Sequence, residues 1–188
     1  MNLHAHFWLW CLGLRPPLST TMPQELEALV QQARGKARIA EVGVYHAATS
    51  RRFRRVMDAR GTLVAVDSYY ASRAGIPVAY VIARVELAKV RRGRLVFLRT
   101  TGALAAETEV VRGLAPFDLV FIDGDHSWNG LHANWGGWSP LVRVGGTIAI
   151  HDTTSGDGLR FAEEVIAADS RFLRFQVKDV TTFFRRVV

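Results

Sequence analysis

The chain has 188 residues, 49% of them hydrophobic and 22% charged, a composition that excludes a disordered tail or a fibre and favours one globular domain. Its single cysteine, Cys11, excludes an internal disulfide and a cysteine-rich zinc site, so we expect a reducing, cytoplasmic setting. The net charge of +7 raises nucleic acid as one class of partner.

The first 22 residues contain a short apolar stretch, Phe7 to Leu14, which is followed directly by Arg15, Pro16 and Pro17. Eight residues cannot span a bilayer, and neither a basic start nor an A-x-A cleavage site accompanies them. We therefore predict no membrane partner and no signal peptide. Residues 1–22 are interpreted as an apolar extension or lid that packs on the domain formed by residues 23–188 or on a second subunit, which makes a homodimer a hypothesis.

Strand and helix patterns alternate from residue 39 to the end, which indicates an α/β fold. Thr21 and Gln24, with Pro23 between them, predict a capping box at the start of a helix that ends near Gly35. Five strands are predicted at 39–44, 62–67, 95–99, 117–123 and 147–152, and helices at 50–59, 78–90, 103–112, 131–138 and 159–168. Only three residues join the last two apolar segments, 172–177 and 181–188, so these must pair antiparallel.

Acidic side chains collect at the ends of the predicted strands. Asp67 ends the second strand, Asp123 the fourth and Asp152 the fifth, where His151 precedes it. The carboxyl ends of parallel strands meet at one edge of a sheet, and converging acids cost solvation energy unless a donor, ligand or cation meets them. A site is therefore predicted at this edge. Asp125 is interpreted as a helix cap near Ser127, its more ordinary use.

The first strand leads into the turn EVGVYHA, in which Gly43 would let the backbone approach a ligand closely. Neither G-x-G-x-x-G nor a Walker pattern is present, which argues against a dinucleotide or a triphosphate. Asp67 follows Gly43 by 24 residues, a spacing suited to holding both hydroxyls of a ribose. Together these features predict a nucleoside ligand.

Two basic runs and several aromatic residues admit more than one interpretation. The runs RRFRR at 51–55 and RRGR at 91–94 are candidate phosphate contacts, or else a solvated helix face and a helix C-terminus. Trp135 and Trp138 have the spacing of core residues. Trp128, Tyr69 and Tyr70 could instead form the wall of a substrate pocket.

Three segments in order resemble the class I S-adenosylmethionine-dependent methyltransferases, and among these a small bacterial group with an F-I-D-G-D-H-S, G-G and H-D signature. They are EVGVY at 41–45, FDLVFIDGDHSW at 117–128 and WSPLVRVGGTIAIHDT at 138–153. The resemblance covers residues 20–188. It implies a Rossmann-like, doubly wound α/β fold with a seven-stranded, mostly parallel sheet of order 3-2-1-4-5-7-6 and a C-terminal antiparallel hairpin.

The resemblance also implies S-adenosylmethionine as the cofactor, lying over strands one, two and four. The cofactor-binding residues that it implies are Glu41, Gly43, Val44, Tyr45, Asp67, Ser68, Thr101, Gly102, Asp123 and His126. Relatives often carry a second glycine where this chain has Ala47, which predicts a tighter loop.

Methyl transfer to an oxygen requires loss of a proton, so a catalytic base is expected. His151, His126 and Asp123 are the candidate bases; His151 is preferred because imidazole titrates near neutrality, and Asp123 is the second catalytic candidate. Related O-methyltransferases bind a divalent ion at positions corresponding to Asp123, His151 and Asp152, which makes Mg²⁺ or Mn²⁺ a second candidate cofactor, although the nitrogen ligand weakens the case for Mg²⁺. The first functional hypothesis is O-methylation of a small-molecule hydroxyl; an RNA methyltransferase and a non-catalytic cofactor-binding protein are the alternatives.

Overall fold

The computed structural model describes residues 3–69 and 77–188, and it contains a seven-stranded sheet of order β3-β2-β1-β4-β5-β7-β6. The first five strands run parallel, and β7 is antiparallel to both β5 and β6. The strands are β1 Arg38–Val42, β2 Thr62–Val66, β3 Arg94–Leu98, β4 Phe117–Ile122, β5 Val142–Ile150, β6 Phe172–Lys178 and β7 Thr181–Arg186. This is the predicted fold, and the antiparallel closing pair is confirmed.

Helices cover both faces of the sheet. The described helices are α1 Leu3–Cys11, α2 Pro23–Ala33, α3 Ala48–Val56, α4 Val78–Ala88, α5 Gly102–Glu107, α6 Glu109–Arg112, α7 Trp128–Trp138 and α8 Gly156–Phe161. Side chains of α2, α3 and α4 pack on one face, and those of α5, α7 and α8 pack on the other. Trp135 and Trp138 are buried in the second layer, as their spacing predicted.

Three predicted boundaries are wrong. The cap of α2 lies one residue later than predicted, since the backbone N–H of Met22 donates to Glu25 Oε2 over 2.8 Å, while the Thr21 hydroxyl lies 3.2 Å from that of Thr49. The helix predicted at 103–112 is broken at Thr108, whose side chain accepts a hydrogen bond from the Val111 N–H and so starts α6. The segment 145–146 lies inside β5, at a shift in its pairing with β4, rather than in a turn before it.

The N-terminal extension packs on the domain of its own chain. Trp10 Nε1 donates to Glu86 Oε1 on α4 over 2.7 Å, and the His6 ring stacks on His46 with ring centres 5.4 Å apart. The opposite side of α1 faces solvent, with Trp8 66% exposed. None of the helices in the described ranges is long and apolar enough to cross a membrane.

The first basic run is partly structural. Arg54 is buried and donates to the carbonyl oxygens of Leu87, Arg92 and Gly93 over 2.8 to 3.0 Å, which closes the C-terminal end of α4. Arg51 pairs with the buried carboxylate of Glu86. Arg51 and Arg54 therefore do not belong to a solvated helix face. Within this run, the interpretation as a solvated face applies only to Arg52 and Arg55, which are exposed.

Candidate functional site

A cleft lies at the carboxyl ends of the parallel strands, where the acids were predicted to meet, and it has two parts. The larger cavity, about 620 Å³, lies between the ends of β1, β2 and β4 and the helices α5 and α7. The smaller cavity, about 380 Å³, lies beside the end of β5 under residues 18–21. Gly43, Asp67 and Asp123 line both cavities, so the two parts adjoin.

Every residue predicted to bind the cofactor or a metal, or to act as the base, lines one of these cavities. The larger cavity adds Ser68, Thr101 and Gly102 to the three shared residues. The smaller cavity is also lined by Glu41, Val44, Tyr45, His126, His151 and Asp152. The fold thus brings together residues that the sequence scatters over more than a hundred positions.

The turn after β1 brings two backbone segments into close contact. Gly43 has φ +94°, and a methyl group added there would overlap the carbonyl oxygen of Asp123. The glycine thus allows β1 to approach the end of β4, whereas the sequence suggested an approach to a ligand. Ala47 has φ +61°, a left-handed conformation that favours glycine, at the position where relatives often carry one.

Asp67 holds this turn in place. Its Oδ2 accepts hydrogen bonds from the backbone N–H groups of Val44 and Tyr45, both over 2.9 Å, and its Oδ1 accepts one from Tyr69 over 3.0 Å. A carboxylate offers about four acceptor positions. The three backbone hydrogen bonds therefore leave one acceptor position of Asp67 for a ribose hydroxyl. To bind both hydroxyls of a ribose, Asp67 must give up one of its hydrogen bonds to the turn.

Glu41 lies beneath the turn and is buried. Burial raises the pKa of Glu41 well above its ordinary value, and the hydrogen bond that Ser50 donates to its carboxyl only partly opposes this effect. The nearby charges of Asp123 and Asp67 raise the pKa further. The surroundings of Glu41 thus disfavour the charged form of its carboxyl group, which lines the smaller cavity.

A cluster of two imidazoles and several carboxylates forms one wall of the smaller cavity. Asp123 Oδ1 lies 3.0 Å from His151 Nδ1 and 3.5 Å from His126 Nε2; the former is an ion-pair contact without the alignment of a hydrogen bond. Asp152 Oδ1 lies 3.4 Å from His151 Nδ1 on the same side of the ring. Glu25 Oε2 lies 3.6 Å from His151 Nε2 on the other side.

These contacts shift the pKa values of the pair in opposite directions. Burial raises the pKa of Asp123, but its contacts with His126 and His151 outweigh burial, and the net pKa is below the ordinary value. Burial lowers the pKa of His151, but the three carboxylates around it outweigh burial, and the net pKa is above the ordinary value. His151 is thus a stronger base than a free imidazole.

Sequence reasoning missed Glu25 and the threonines of the N-terminal segment. Glu25 is fully buried, accepts hydrogen bonds from the backbone N–H of Val180 and the hydroxyl of Thr181, and supports His151. Its position in the first turn of a helix indicated only a cap. Thr20 donates to Asp123 Oδ2 over 3.4 Å, and Leu18 N–H donates to His46 Nδ1 over 3.1 Å. These contacts hold residues 18–21 over the smaller cavity.

A family model described as a methyltransferase domain matches residues 40–153, which is more than half of the chain and includes the ends of β1, β2, β4 and β5. The chain belongs to this methyltransferase family. No curated protein matches the sequence.

Solved structures share the fold of this methyltransferase at low sequence identity. An O-methyltransferase from Bacillus cereus in complex with SAH is 20% identical with a TM-score of 0.70, over 99% of this chain and 90% of the other. The O-methyltransferase TomG from Streptomyces achromogenes, in complex with SAM, is 18% identical with a TM-score of 0.67, over 99% and 89%. An rRNA methylase from Streptococcus thermophilus is 10% identical with a TM-score of 0.63, over 91% and 100%.

Two residues predicted near the methyltransferase site have other roles. Trp128 lines neither cavity; it packs on Phe161 of α8, and the Arg160 guanidinium lies 4.2 Å from its ring centre. Ser127 caps α7 by accepting from the Gly130 N–H, while Asp125 accepts from the Ser127 N–H and is not the cap. A polar residue two positions ahead of a cap gives the same sequence pattern as the cap itself.

Tyr69 does not form the predicted substrate wall. Tyr69 is buried, and its hydroxyl donates to the carbonyl oxygen of Tyr45 over 3.0 Å, so it supports the methyltransferase turn from below. Tyr70 lies outside the described residues.

Thr101 and Gly102 line the larger cavity at the start of α5. Thr101 caps the helix by accepting from the Leu104 N–H over 3.4 Å. A side chain at Gly102 would overlap the amide oxygen of Asn134, which is buried and has no hydrogen-bond partner among the described residues. This part of the methyltransferase cleft therefore offers an open acceptor as well as close backbone.

Proposed function

We propose that this methyltransferase transfers a methyl group from S-adenosylmethionine to a hydroxyl group of a small molecule, with His151 as the base. The observation that carries the proposal is the contact of His151 with Asp123, because Asp123 lines both cavities. The donor then occupies the larger cavity and the acceptor the smaller one. The modest volume of the latter, about 380 Å³, favours a small acceptor.

Three observations support S-adenosylmethionine as the donor. Two structural neighbours are described as complexes with SAM or SAH. Asp67 suits a ribose, and the open oxygen of Asn134 suits an exocyclic amine. The donor supplies a methyl group that is bonded to a sulfonium sulfur. The sulfur keeps the electron pair of the carbon–sulfur bond and leaves as a thioether.

The protein's own contribution is alignment, exclusion of water and removal of one proton. His151 Nε2 faces Glu25, so Nδ1 is the atom directed towards the cavity-lining Asp123 and Asp152. His151 takes the hydroxyl proton as the oxygen bonds to the methyl carbon, and the carboxylates of Asp123 and Asp152 stabilise the resulting imidazolium. Residues 18–21 cover the cavity and limit the access of water.

The donor assignment predicts the outcome of a binding titration. We expect S-adenosylmethionine and S-adenosylhomocysteine to bind, and NAD and ATP not to bind. Asp67→Ala should weaken binding by roughly tenfold to a hundredfold, because hydrogen bonds to charged groups contribute about 1.5–3 kcal/mol. Asp67→Asn, which preserves the shape of the side chain, should cause a smaller loss in the same calorimetric titration.

Asp118 provides a matched control for this experiment. Its Oδ2 accepts from the backbone N–H groups of Ala37 and Arg38 at the opposite edge of the sheet, over 3.0 and 2.8 Å. Asp118→Ala should therefore reduce stability without changing cofactor affinity. Equal loss of affinity in the Asp67 and Asp118 variants would mean that Asp67 acts only through the fold, and an absence of binding to the unmodified protein would overturn the donor assignment.

A metal-assisted form of the same reaction is the second candidate. Asp123, His126 and His151 each offer a ligand atom, and these atoms all lie within 4.8 Å of one another. The predicted set contained Asp152 instead of His126; Asp152 Oδ2 lies 3.9 Å from His126 Nε2. Two nitrogen ligands fit Mn²⁺, Fe²⁺ or Zn²⁺ better than Mg²⁺. A bound ion would lower the pKa of the acceptor hydroxyl.

Chelation separates the metal-free reaction from the metal-assisted one, since an imidazole nitrogen that binds an ion cannot take a proton. We expect activity to survive exhaustive EDTA treatment followed by desalting, measured as methyl transfer to a screened acceptor. Loss of activity that Mn²⁺ restores and Mg²⁺ does not would instead assign the ion to the His126 and His151 pair, because only a nitrogen-tolerant ion fits it.

A further inference from the structure

The positive charge of the protein is concentrated on one layer. The stretches 48–66 and 77–98, which hold α3, α4 and the strands that follow them, contain ten Arg and Lys residues against Asp58 and Glu86. Their net charge of +8 exceeds the +7 of the whole chain, so the remainder is close to neutral. Exposed members are Arg52 and Arg55 on α3, Arg84 and Lys89 on α4, and Arg91 and Arg94 beyond it.

An uncharged helix lies against this basic layer. The sequence of α1, LHAHFWLWC, contains no acidic, Arg or Lys side chain, and its inner side packs on α4 through Trp10. Its outer side and the turn after it leave Trp8 66%, Leu12 71% and Leu14 66% exposed. These three side chains form an apolar ridge, which is costly to leave in water.

The ridge and the basic layer meet at a cavity of about 390 Å³. Arg15, Arg51 and Lys89 line it, together with Leu14 and Trp10, and the Glu86 carboxylate, which pairs with Arg51 and Lys89, lies among them. Arg51 Nε is buried and has no hydrogen-bond partner among the described residues. Cationic groups therefore face an opening that is bordered by exposed apolar side chains.

We propose that this face, made of α1 and the outer sides of α3 and α4, docks on an anionic phospholipid surface. The apolar ridge enters the headgroup region, as Trp and Leu side chains do at membrane interfaces, and the basic residues meet the lipid phosphates. Such docking requires no segment that spans the membrane. No membrane partner was predicted from the sequence because the apolar stretch is too short to span a bilayer.

Charge decides between this partner and two others. A second copy would bring one net charge of +8 against another, which disfavours a dimer through this face. Nucleic acid would satisfy the cations, but the aliphatic Leu12 and Leu14 gain little from a hydrated phosphate backbone. An anionic lipid surface satisfies both the charges and the apolar ridge.

Flotation of the full chain with lipid vesicles tests the proposal. We expect binding to phosphatidylcholine vesicles that contain phosphatidylglycerol to exceed binding to pure phosphatidylcholine by about tenfold or more at low salt, and to weaken at high salt. Leu12→Ser and Trp8→Ser should each weaken it by roughly tenfold or more, because each removes a large apolar side chain that would leave water on docking. Paired Arg52→Glu and Arg55→Glu should weaken it more strongly at low salt than at high salt.

Matched controls lie on β6, at the far edge of the sheet. Leu173 is 60% exposed and Arg174 is exposed, so Leu173→Ser and Arg174→Glu change the same chemistry on another surface and should leave vesicle binding unchanged. Equal losses in the control and test variants would overturn the proposal. It would also be overturned by binding to a single-stranded RNA with no binding to vesicles, or by a dimer that Leu12→Ser dissociates while vesicles remain unbound.

Discussion

Replacing His151 with alanine is expected to slow methyl transfer by about two to four orders of magnitude while leaving the affinity for S-adenosylmethionine nearly unchanged. This is the range that a positioned general base contributes. His151 lines only the smaller cavity, whereas the donor is assigned to the larger one, so binding and transfer should separate. Calorimetry gives the first quantity, and single-turnover kinetics with saturating donor gives the second.

Two further variants sharpen this experiment. Glu25 faces His151 Nε2 at 3.6 Å and does not line the cavity, so Glu25→Gln should lower the transfer rate by a smaller factor through loss of ring orientation. The exposed His132, whose ring packs against Trp128, is a control histidine, and His132→Ala should leave transfer unchanged. An unchanged rate in the His151 variant, or a loss of donor affinity equal to that of Asp67→Ala, would contradict its role as the base.

Gly43→Ala is expected to remove cofactor binding and to destabilise the fold by about 2–5 kcal/mol. An added methyl group overlaps the Asp123 carbonyl, which costs about 1–3 kcal/mol as overpacking, and φ +94° adds strain of about 1–2 kcal/mol. A typical domain has only about 5–15 kcal/mol of stability in total. Denaturant unfolding measures the first effect, and a binding titration of the folded fraction measures the second.

Gly136 on α7 is the matched glycine for this substitution. A methyl group there meets nothing within 4 Å, so Gly136→Ala should stabilise the protein by roughly 0.5–1 kcal/mol through helix propensity. A Gly43→Ala protein with unchanged stability and donor affinity would show that the turn after β1 can move away from β4. The close approach would then not be needed for the site.

The sequence predicted those parts of the site that follow from strand ends. Asp67, Asp123 and His151 were found because parallel strands bring their carboxyl ends to one edge, and the alternation of elements already implied such a sheet. Glu25 and Thr20 were missed because they reach the site from an element that precedes the sheet. Nothing in local periodicity shows where such an element folds back.

The wrong predictions share one physical origin: the residue concerned had two roles that its local sequence allowed equally. Trp128 follows the site loop directly, yet α8 offers it Phe161 and Arg160, and packing there removes more apolar surface from water than lining an open cavity would. Thr108 could continue a helix or cap one, and its hydroxyl bonds at both ends of the break decide for the cap. Contacts with residues that are distant in the sequence decide between such roles, and a single sequence does not show which residues will be in contact.

The strength of the contacts that keep residues 18–21 over the smaller cavity determines how often this segment opens. It consists of three hydrogen bonds, made by Leu18, Thr20 and Thr21, each contributing about 1 kcal/mol, so the uncovered form is populated on the order of once in a hundred molecules. Loop segments move within about nanoseconds to microseconds, whereas enzymes typically turn over about ten times per second. Many openings therefore precede each reaction. Under the proposed function, the opening of this segment does not limit the rate of methyl transfer, which is set by the chemistry beneath it.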